Sequence, residues 1–352
     1  MISRRRFIAA LTAASVLRPV ASFADTAGVR AGELLVATYN LRVAVDAPPH
    51  DWPQRRLRLQ ALLDSYRPDV IGTQEGLYSQ IKDIASDQPA YDWIGLGRDG
   101  GSRGEFMAIF YRRDRFEPLE FDHFWLSDTP DVIASSTWGN DVRRMVTWVK
   151  FRDRTTGREF YFWNTHLDHA VQFAREKSAE LIRQRIGLLP PGASLFLVGD
   201  FNSVARENRV YEILTQGAGL TDTWYAARER RNEDANSFTG FGPLLHEGKR
   251  IDWILARGAM DVRATEAVTF QLDGRWPSDH LPVMTWVTLQ GGHQVVLLTS
   301  PDSRASARRL TTRRSGRPAI AADPTLRWPG RPTMSPGECV RALSSPRRRA
   351  AL

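Results

Sequence analysis

Eight polar side chains, Asn40, Glu75, His166, Asp200, Asn202, Asp252, Asp279 and His280, stand at the tips of apolar, strand-like runs. Four groups close such a run, in LLVATYNL, DVIGTQE, FYFWNTHLDH and SLFLVGDFN, while two open one, in RIDWILA and SDHLPVMTWVTL. Where a sheet contains antiparallel neighbours, the end of one strand and the start of the next share a rim, and α/β folds commonly place ligands at such an edge. All six segments can therefore deliver their polar residues to one place. Burial of apolar runs does not by itself ask for Asn, Glu, Asp and His at these positions, and the set reads as one hydrolytic metal site.

The two ends of the chain differ in character from the part between them. SRRRFIAALTAASVL places consecutive arginines before a short Ala/Leu/Val stretch, with Ser22 and Ala24 suiting cleavage before Asp25. Residues 1–24 resemble a twin-arginine export signal, so an exported, periplasmic or secreted protein is expected. Residues 291–352 hold twelve Arg, no Lys and three acids among scattered Pro and Ser, with no sustained period. This composition predicts a disordered tail, either a basic arm for anionic surfaces or a solvated extension. The tail carries +9 and the first 24 residues +4, so the formal net charge of +8 leaves −5 for residues 25–290. A domain that holds long duplex DNA through many phosphates would show a basic face, and the basic isoelectric point is thus poor evidence for nucleic acid.

Residues 25–290 read as one α/β domain, a size that a single core supports. The single cysteine, Cys339, excludes an internal disulfide framework. Beyond the N-terminal segment no apolar run reaches the ~20 residues of a membrane span, and a monomer is expected. The patterning predicts strands over Gly32 to Arg42, Asp69 to Gln74, Tyr91 to Gly97, Phe106 to Tyr111, Met145 to Phe151, Glu159 to Asn164 and Ser194 to Val198. Helices are predicted over Trp52 to Tyr66, capped by Asp51, then Leu77 to Ser86, Val171 to Ile186 and Glu207 to Leu214, with strands again from Arg250 to Leu289. RDRTTGR, with Gly157, is a hairpin signal.

Phosphoester hydrolysis needs a divalent cation to neutralise developing charge, a positioned water, and donors around the non-bridging oxygens. Glu75 is the primary candidate ligand, since hard Mg²⁺ prefers carboxylate oxygen; read alone it is an ordinary loop carboxylate, and Asn40 an Asx turn. His166, and His280 beside Asp279, set imidazoles next to carboxylates, which fixes a tautomer and raises basicity. Alternation around Phe201 is expected to send Asp200 and Asn202 to one side, Asp200 toward the attacking water and Asn202 toward the phosphate. Asp168 and His169 read either as site residues or as caps of the following helix. Arg143 and Arg144 are candidate substrate-phosphate ligands, with a solvated strand edge as the alternative.

Taken in order, TYNL, TQE, NTHLDH, GDFN, RIDWI and SDHLP resemble the endonuclease/exonuclease/phosphatase superfamily, which includes deoxyribonuclease I, apurinic endonucleases, sphingomyelinases and inositol-polyphosphate phosphatases. The resemblance covers about residues 33–290. It implies a four-layer α/β sandwich of two packed mixed sheets flanked by helices. It further implies that Asn40, Glu75 and Asp279 serve Mg²⁺ or Mn²⁺; that His166, Asn202 and His280 attend the phosphate; that Asp200 orients or deprotonates the nucleophile; and that Asp252 supports this network. The NTHLDH and RIDWI forms are most similar to small exported bacterial members. The substrate expected is a phosphodiester, nucleic acid included, with a sugar or inositol phosphomonoester as the alternative. A sphingomyelinase-like role would draw on the aromatic stretch Phe121 to Pro130, and SFTGF offers an aromatic wall beside the site. A non-catalytic binding module would not need a water-orienting Asp together with a full metal set.

Overall fold

The structure, a computed structural model, describes residues 28–290. The expected signal segment and tail lie outside these residues. One sheet comprises β1 (Leu34–Asn40), β2 (Val70–Gly76), β3 (Tyr91–Ile94), β4 (Phe106–Arg112), β10 (Glu229–Arg231), β12 (Met260–Ala267) and β13 (Val283–Leu289), in the order β10-β12-β13-β1-β2-β4-β3. The other comprises β5 (Phe116–Trp125), β6 (Met145–Asp153), β7 (Glu159–His166), β8 (Leu195–Asp200), β9 (Thr221–Asp222) and β11 (Asp252–Arg257), in the order β5-β6-β7-β8-β11-β9.

Both sheets are mixed, with β1 and β2 parallel in one and β7 and β8 parallel in the other. Their inner faces pack on each other through Leu34, Val36, Phe160, Phe162, Phe196 and Val198. The outer face of the first sheet, through Leu35, Ala37 and Tyr39, is covered by helices α1 (Trp52–Tyr66) and α2 (Tyr78–Asp87). On the second sheet, Trp163 and Leu197 lie under helix α3 (Gln172–Gly187). The result is the four-layer sandwich. Because every residue of β1 and β8 is buried, central strands read as continuous apolar runs rather than as alternating ones.

The helix over Trp52–Tyr66 lies where patterning placed it, although the Asp51 side chain makes no capping bond. Gly157 sits in the β6–β7 turn at φ 72°. The predicted Glu207 helix is shorter: α4 (Arg209–Glu212) passes into a π turn, Ile213–Gly217, ahead of α5 (Thr223–Ala226). Strand β5 was not predicted. Its aromatic stretch is mostly core, with Phe124 and Trp125 buried and Phe121 exposed, so it offers little of the aromatic surface that a lipid-binding role would use. No helix of the described residues is long and apolar enough to cross a membrane.

Candidate active site

The parallel and antiparallel pairings bring the six motifs to one rim. Strands β1, β2, β7 and β8 end there, and β11 and the segment before β13 begin there. Register alone aligns His166 with Asp200 across β7 and β8, and Asp252 with Asp200 across β11 and β8. Asn40 joins the two sheets: its Nδ2 donates to Glu75 Oε1 and to Asp200 Oδ2, at 3.0 Å each.

Glu75 reaches the rim through a β-bulge. Pairing of β2 with β4 jumps from Thr73↔Ala108 to Gly76↔Phe106, so Gln74 and Glu75 together face Met107. Glu75 itself takes φ 63°, a left-handed conformation uncommon for a residue with a side chain. Bulges of this kind re-aim side chains beside active sites. The Val43 N–H donates to Glu75 Oε2 at 3.1 Å, which fixes the carboxylate from the β1–α1 loop.

Asp200 is buried and ringed by donors. Its Oδ1 accepts from Asn202 N at 2.9 Å, and its Oδ2 lies 3.4 Å from His166 Nε2 and 3.7 Å from His280 Nε2. Burial, reinforced by Asp252, pushes its carboxyl up to about 7 against the pull of His280. His280 goes the other way. Burial favours the neutral ring, but Asp252 Oδ2, 3.0 Å from Nδ1, together with Asp200, holds the imidazolium up to about 10. His166 is kept well below 6.5 by burial and then by the charges of Arg144 and His280. One histidine is therefore a cationic donor and the other a neutral ring.

Several expected roles change at this resolution of detail. Asn202 does not follow strand alternation, because β8 ends at Asp200. Instead Asn202 turns back at φ 47°, and its Nδ2 donates to Leu167 O and approaches His166 Nε2, both at 3.1 Å. Asn40, expected either to orient a ligand or to add a carbonyl oxygen, accepts from Arg42 N at 2.9 Å through that oxygen and turns its amide nitrogen to the two carboxylates, which is the orienting arrangement. Asp279 stands apart from the tightest ligand groupings. Its Oδ2 lies 3.8 Å from Arg42 Nε, and burial and then Glu75 raise its pKa. Arg143 and Arg144 separate because successive residues entering a strand point oppositely: Arg143 is exposed and pairs with Asp99, away from the expected phosphate role. Arg144 is buried, its Nη2 3.3 Å from His169 Nδ1 and its Nε 3.8 Å from Asp168 Oδ2. Asp168 also accepts from the N–H groups of Ala170 and Val171, which precede the first residue of α3, so it orders the turn into the helix rather than capping it.

Three supporting residues were missed in the sequence. Ser278 Oγ donates to Asn40 O at 2.7 Å and ties the SDH loop to β1. Arg55, on α1, donates to five backbone carbonyls around the same loops. Asn164 reaches across the sheets to Gln74 and the β2 bulge. For the last, a polar amide in the middle of an apolar run was the available signal.

Among the described residues, two sets of potential ligand atoms lie within 4.8 Å of one another: Glu75, His166 and Asp200, and Asp200, Asp252 and His280. Carboxylate oxygens dominate, Asp252 Oδ1 is buried without a partner, and the facing acids repel one another. Such a donor set fits a hard divalent cation.

A two-sheet sandwich with a carboxylate and histidine rim defines a metal-dependent phosphoric ester hydrolase. The profile of the endonuclease/exonuclease/phosphatase family matches residues 37–280, and the chain belongs to that family. It is similar to an endonuclease/exonuclease/phosphatase family protein from Bacteroides thetaiotaomicron, at 34% identity and TM-score 0.70 over 73% of this chain and 98% of the other. A mannosyl-6-phosphatase from the same organism is 35% identical at TM-score 0.68, over 72% of this chain and 99% of that one. An uncharacterized protein of Acanthamoeba polyphaga mimivirus is 27% identical over 67% of this chain and 91% of its own length. These matches do not bear out the expectation that the chain is most similar to small exported bacterial members.

Proposed function

We propose that the protein hydrolyses small, soluble phosphate esters, with phosphomonoesters of sugars as the substrate class. The observation that carries this choice is the 35% identity to a mannosyl-6-phosphatase over nearly all of that chain. The charge of −5 on residues 25–290 supports it, since a small ester needs one phosphoryl pocket rather than a basic track. A phosphodiester, nucleic acid included, is the alternative that the rim motifs also accommodate.

In this reading Glu75, with Asp200 beside it, would hold Mg²⁺ or Mn²⁺, which supplies neutralisation of charge on the phosphoryl oxygens. Asp200, oriented by Asn40 and Asn202, positions the attacking water and accepts its proton. His280, held cationic by Asp252, donates to a phosphoryl oxygen where negative charge grows. Arg144 adds a buried positive charge beside His169 and Asp168, and His166 and Asn202 present neutral polar groups. Export is the second part of the proposal, resting on residues 1–24. A reporter fused behind that segment should reach the periplasm, and lose that route when Arg4, Arg5 and Arg6 become Lys.

The direct test compares, with Mg²⁺ or Mn²⁺, release of inorganic phosphate from sugar 6-phosphates with release of nitrophenol from bis-nitrophenyl phosphate and strand cleavage of single- and double-stranded DNA. Asp200→Asn and His166→Ala should each lower turnover by about 10²–10⁴ with the fold intact. Faster cleavage of diesters would replace the monoester reading, and near-wild-type turnover in either variant would remove its residue from the mechanism.

A further inference from the structure

A carboxamide at the centre of a sheet sandwich is costly unless its groups are hydrogen-bonded. Asn164, on β7, is wholly buried between the sheets, and among the described residues its side chain bonds to the far sheet alone. Its Nδ2 donates to Thr73 O at 2.8 Å and Ala108 O at 2.9 Å. Its Oδ1 accepts from Gln74 Nε2 at 2.7 Å. Gln74 Nε2 also lies 3.2 Å from Thr38 Oγ1 and 3.3 Å from Gly72 O.

These contacts fall at the break in the β2–β4 ladder. Thr73↔Ala108 is the last regular pair before the bulge, and Gln74 is one of the two residues within it. The other is Glu75, whose φ of 63° persists only where the surroundings enforce it. Asn164 thus grips the bulge from the opposite sheet by both carbonyls of its last regular pair and by the side chain of its first residue. Two residues further along the same strand stands His166, so one strand carries a site histidine and the anchor of the facing carboxylate.

We propose that Asn164 is a positioning residue for Glu75: acting through Gln74 and the bulge, it sets the carboxylate where a divalent cation binds. The proposal rests on Glu75 being a ligand of that cation. It predicts that metal affinity depends on an amide that makes no contact with the metal.

Binding of Mn²⁺ to the full-length protein, followed by electron paramagnetic resonance without substrate, reads this directly. Asn164→Leu keeps the forked side-chain skeleton and removes the three bonds. Phe116→Leu, in the inter-sheet core at the start of β5 and away from the rim, serves as a control for general destabilisation. The expected result is at least tenfold weaker Mn²⁺ binding in Asn164→Leu, against less than twofold change in Phe116→Leu at a similar fall in Tm. If Asn164→Leu does not fold, Gln74→Met removes one of the same bonds from the other side and should weaken binding likewise. Binding within twofold of wild type in the folded variant overturns the proposal. Glu75→Gln, measured alongside, separates the two levels: unchanged affinity there removes Glu75 as ligand and the proposal with it, whereas loss there with none in Asn164→Leu refutes only the coupling.

Discussion

Arg55 offers the sharpest test of how the rim is held. The side chain is fully buried and forms no ion pair among the described residues. It donates instead to Leu41 O at 2.5 Å, His50 O at 2.7 Å, Arg42 O at 2.9 Å, Val43 O at 3.2 Å and Pro277 O at 3.4 Å. These carbonyls belong to the loop after β1, which supplies the Arg42 and Val43 N–H bonds to Asn40 and Glu75, and to the loop that carries Asp279. Replacement by Met keeps an apolar stem and deletes the guanidinium. The carbonyls of Leu41 and Pro277 lie on wholly buried bonds, and each stranded acceptor costs about 1–3 kcal/mol; the others can recruit water. Removing a desolvated charge gives some of this back, for a net loss of about 3 kcal/mol. In a domain of this size that is a fall in Tm of about 6–12 °C, measurable by circular dichroism. Mn²⁺ affinity should fall in parallel, because Glu75 loses the loop that fixes it. A Tm within about 2 °C of wild type would refute the reasoning.

Other predictions follow from the same geometry. In the metal-free protein Asp200 is raised from 3.8 to about 7 and His280 from 6.5 to about 10. Both groups bind a proton more tightly when folded, so Asp200 stabilises fully below its unfolded value and loses this as pH passes about 7, and His280 does the same through about 10. Metal-free Tm should therefore decline from pH 6 to pH 10, with Asp252→Asn flattening the upper part; a wild-type Tm that rises over this range refutes the assignment. Gly199→Ala would put a Cβ 2.2 Å from Thr165 O, forcing β7 and β8 apart between His166 and Asp200. A loss of about 1–3 kcal/mol and a larger proportional loss of turnover should appear in melting and steady-state assays. Arg143→Ala should leave kcat/KM within twofold, whereas Arg144→Met should raise KM by about 10-fold or more; equal effects would restore the pair as a joint phosphate clamp.

Much of the fold is legible in the runs of apolar residues. LLVATYN and SLFLVGD have no polar face because both faces are covered, one by the other sheet and one by helices, and such runs announce central strands of a layered α/β fold. The edges were harder. Strand β5 mixes Glu, Asp and His with aromatics because only its two ends, Phe116 and then Phe124 and Trp125, enter the core, and an edge strand has no pattern strong enough to distinguish it from a loop. The site residues were visible as polar groups where hydrophobic burial gives no reason for them.

Their mutual arrangement was not visible. Whether Asn40 offers oxygen or nitrogen depends on Arg42 N taking the oxygen. Which histidine is charged depends on Asp252 standing 3.0 Å from the His280 ring and on the burial of His166, which the charge of Arg144 reinforces. The partners that Arg143 and Arg144 find, Asp99 and His169, and the grip of Asn164 on the bulge of Glu75, likewise arise from contacts between segments far apart in the chain. Residue identity and local periodicity determined which groups reach the rim. Dielectric burial, strand register and hydrogen-bond partners from the opposite sheet decided what each can do there, since these quantities exist only once the two sheets have packed.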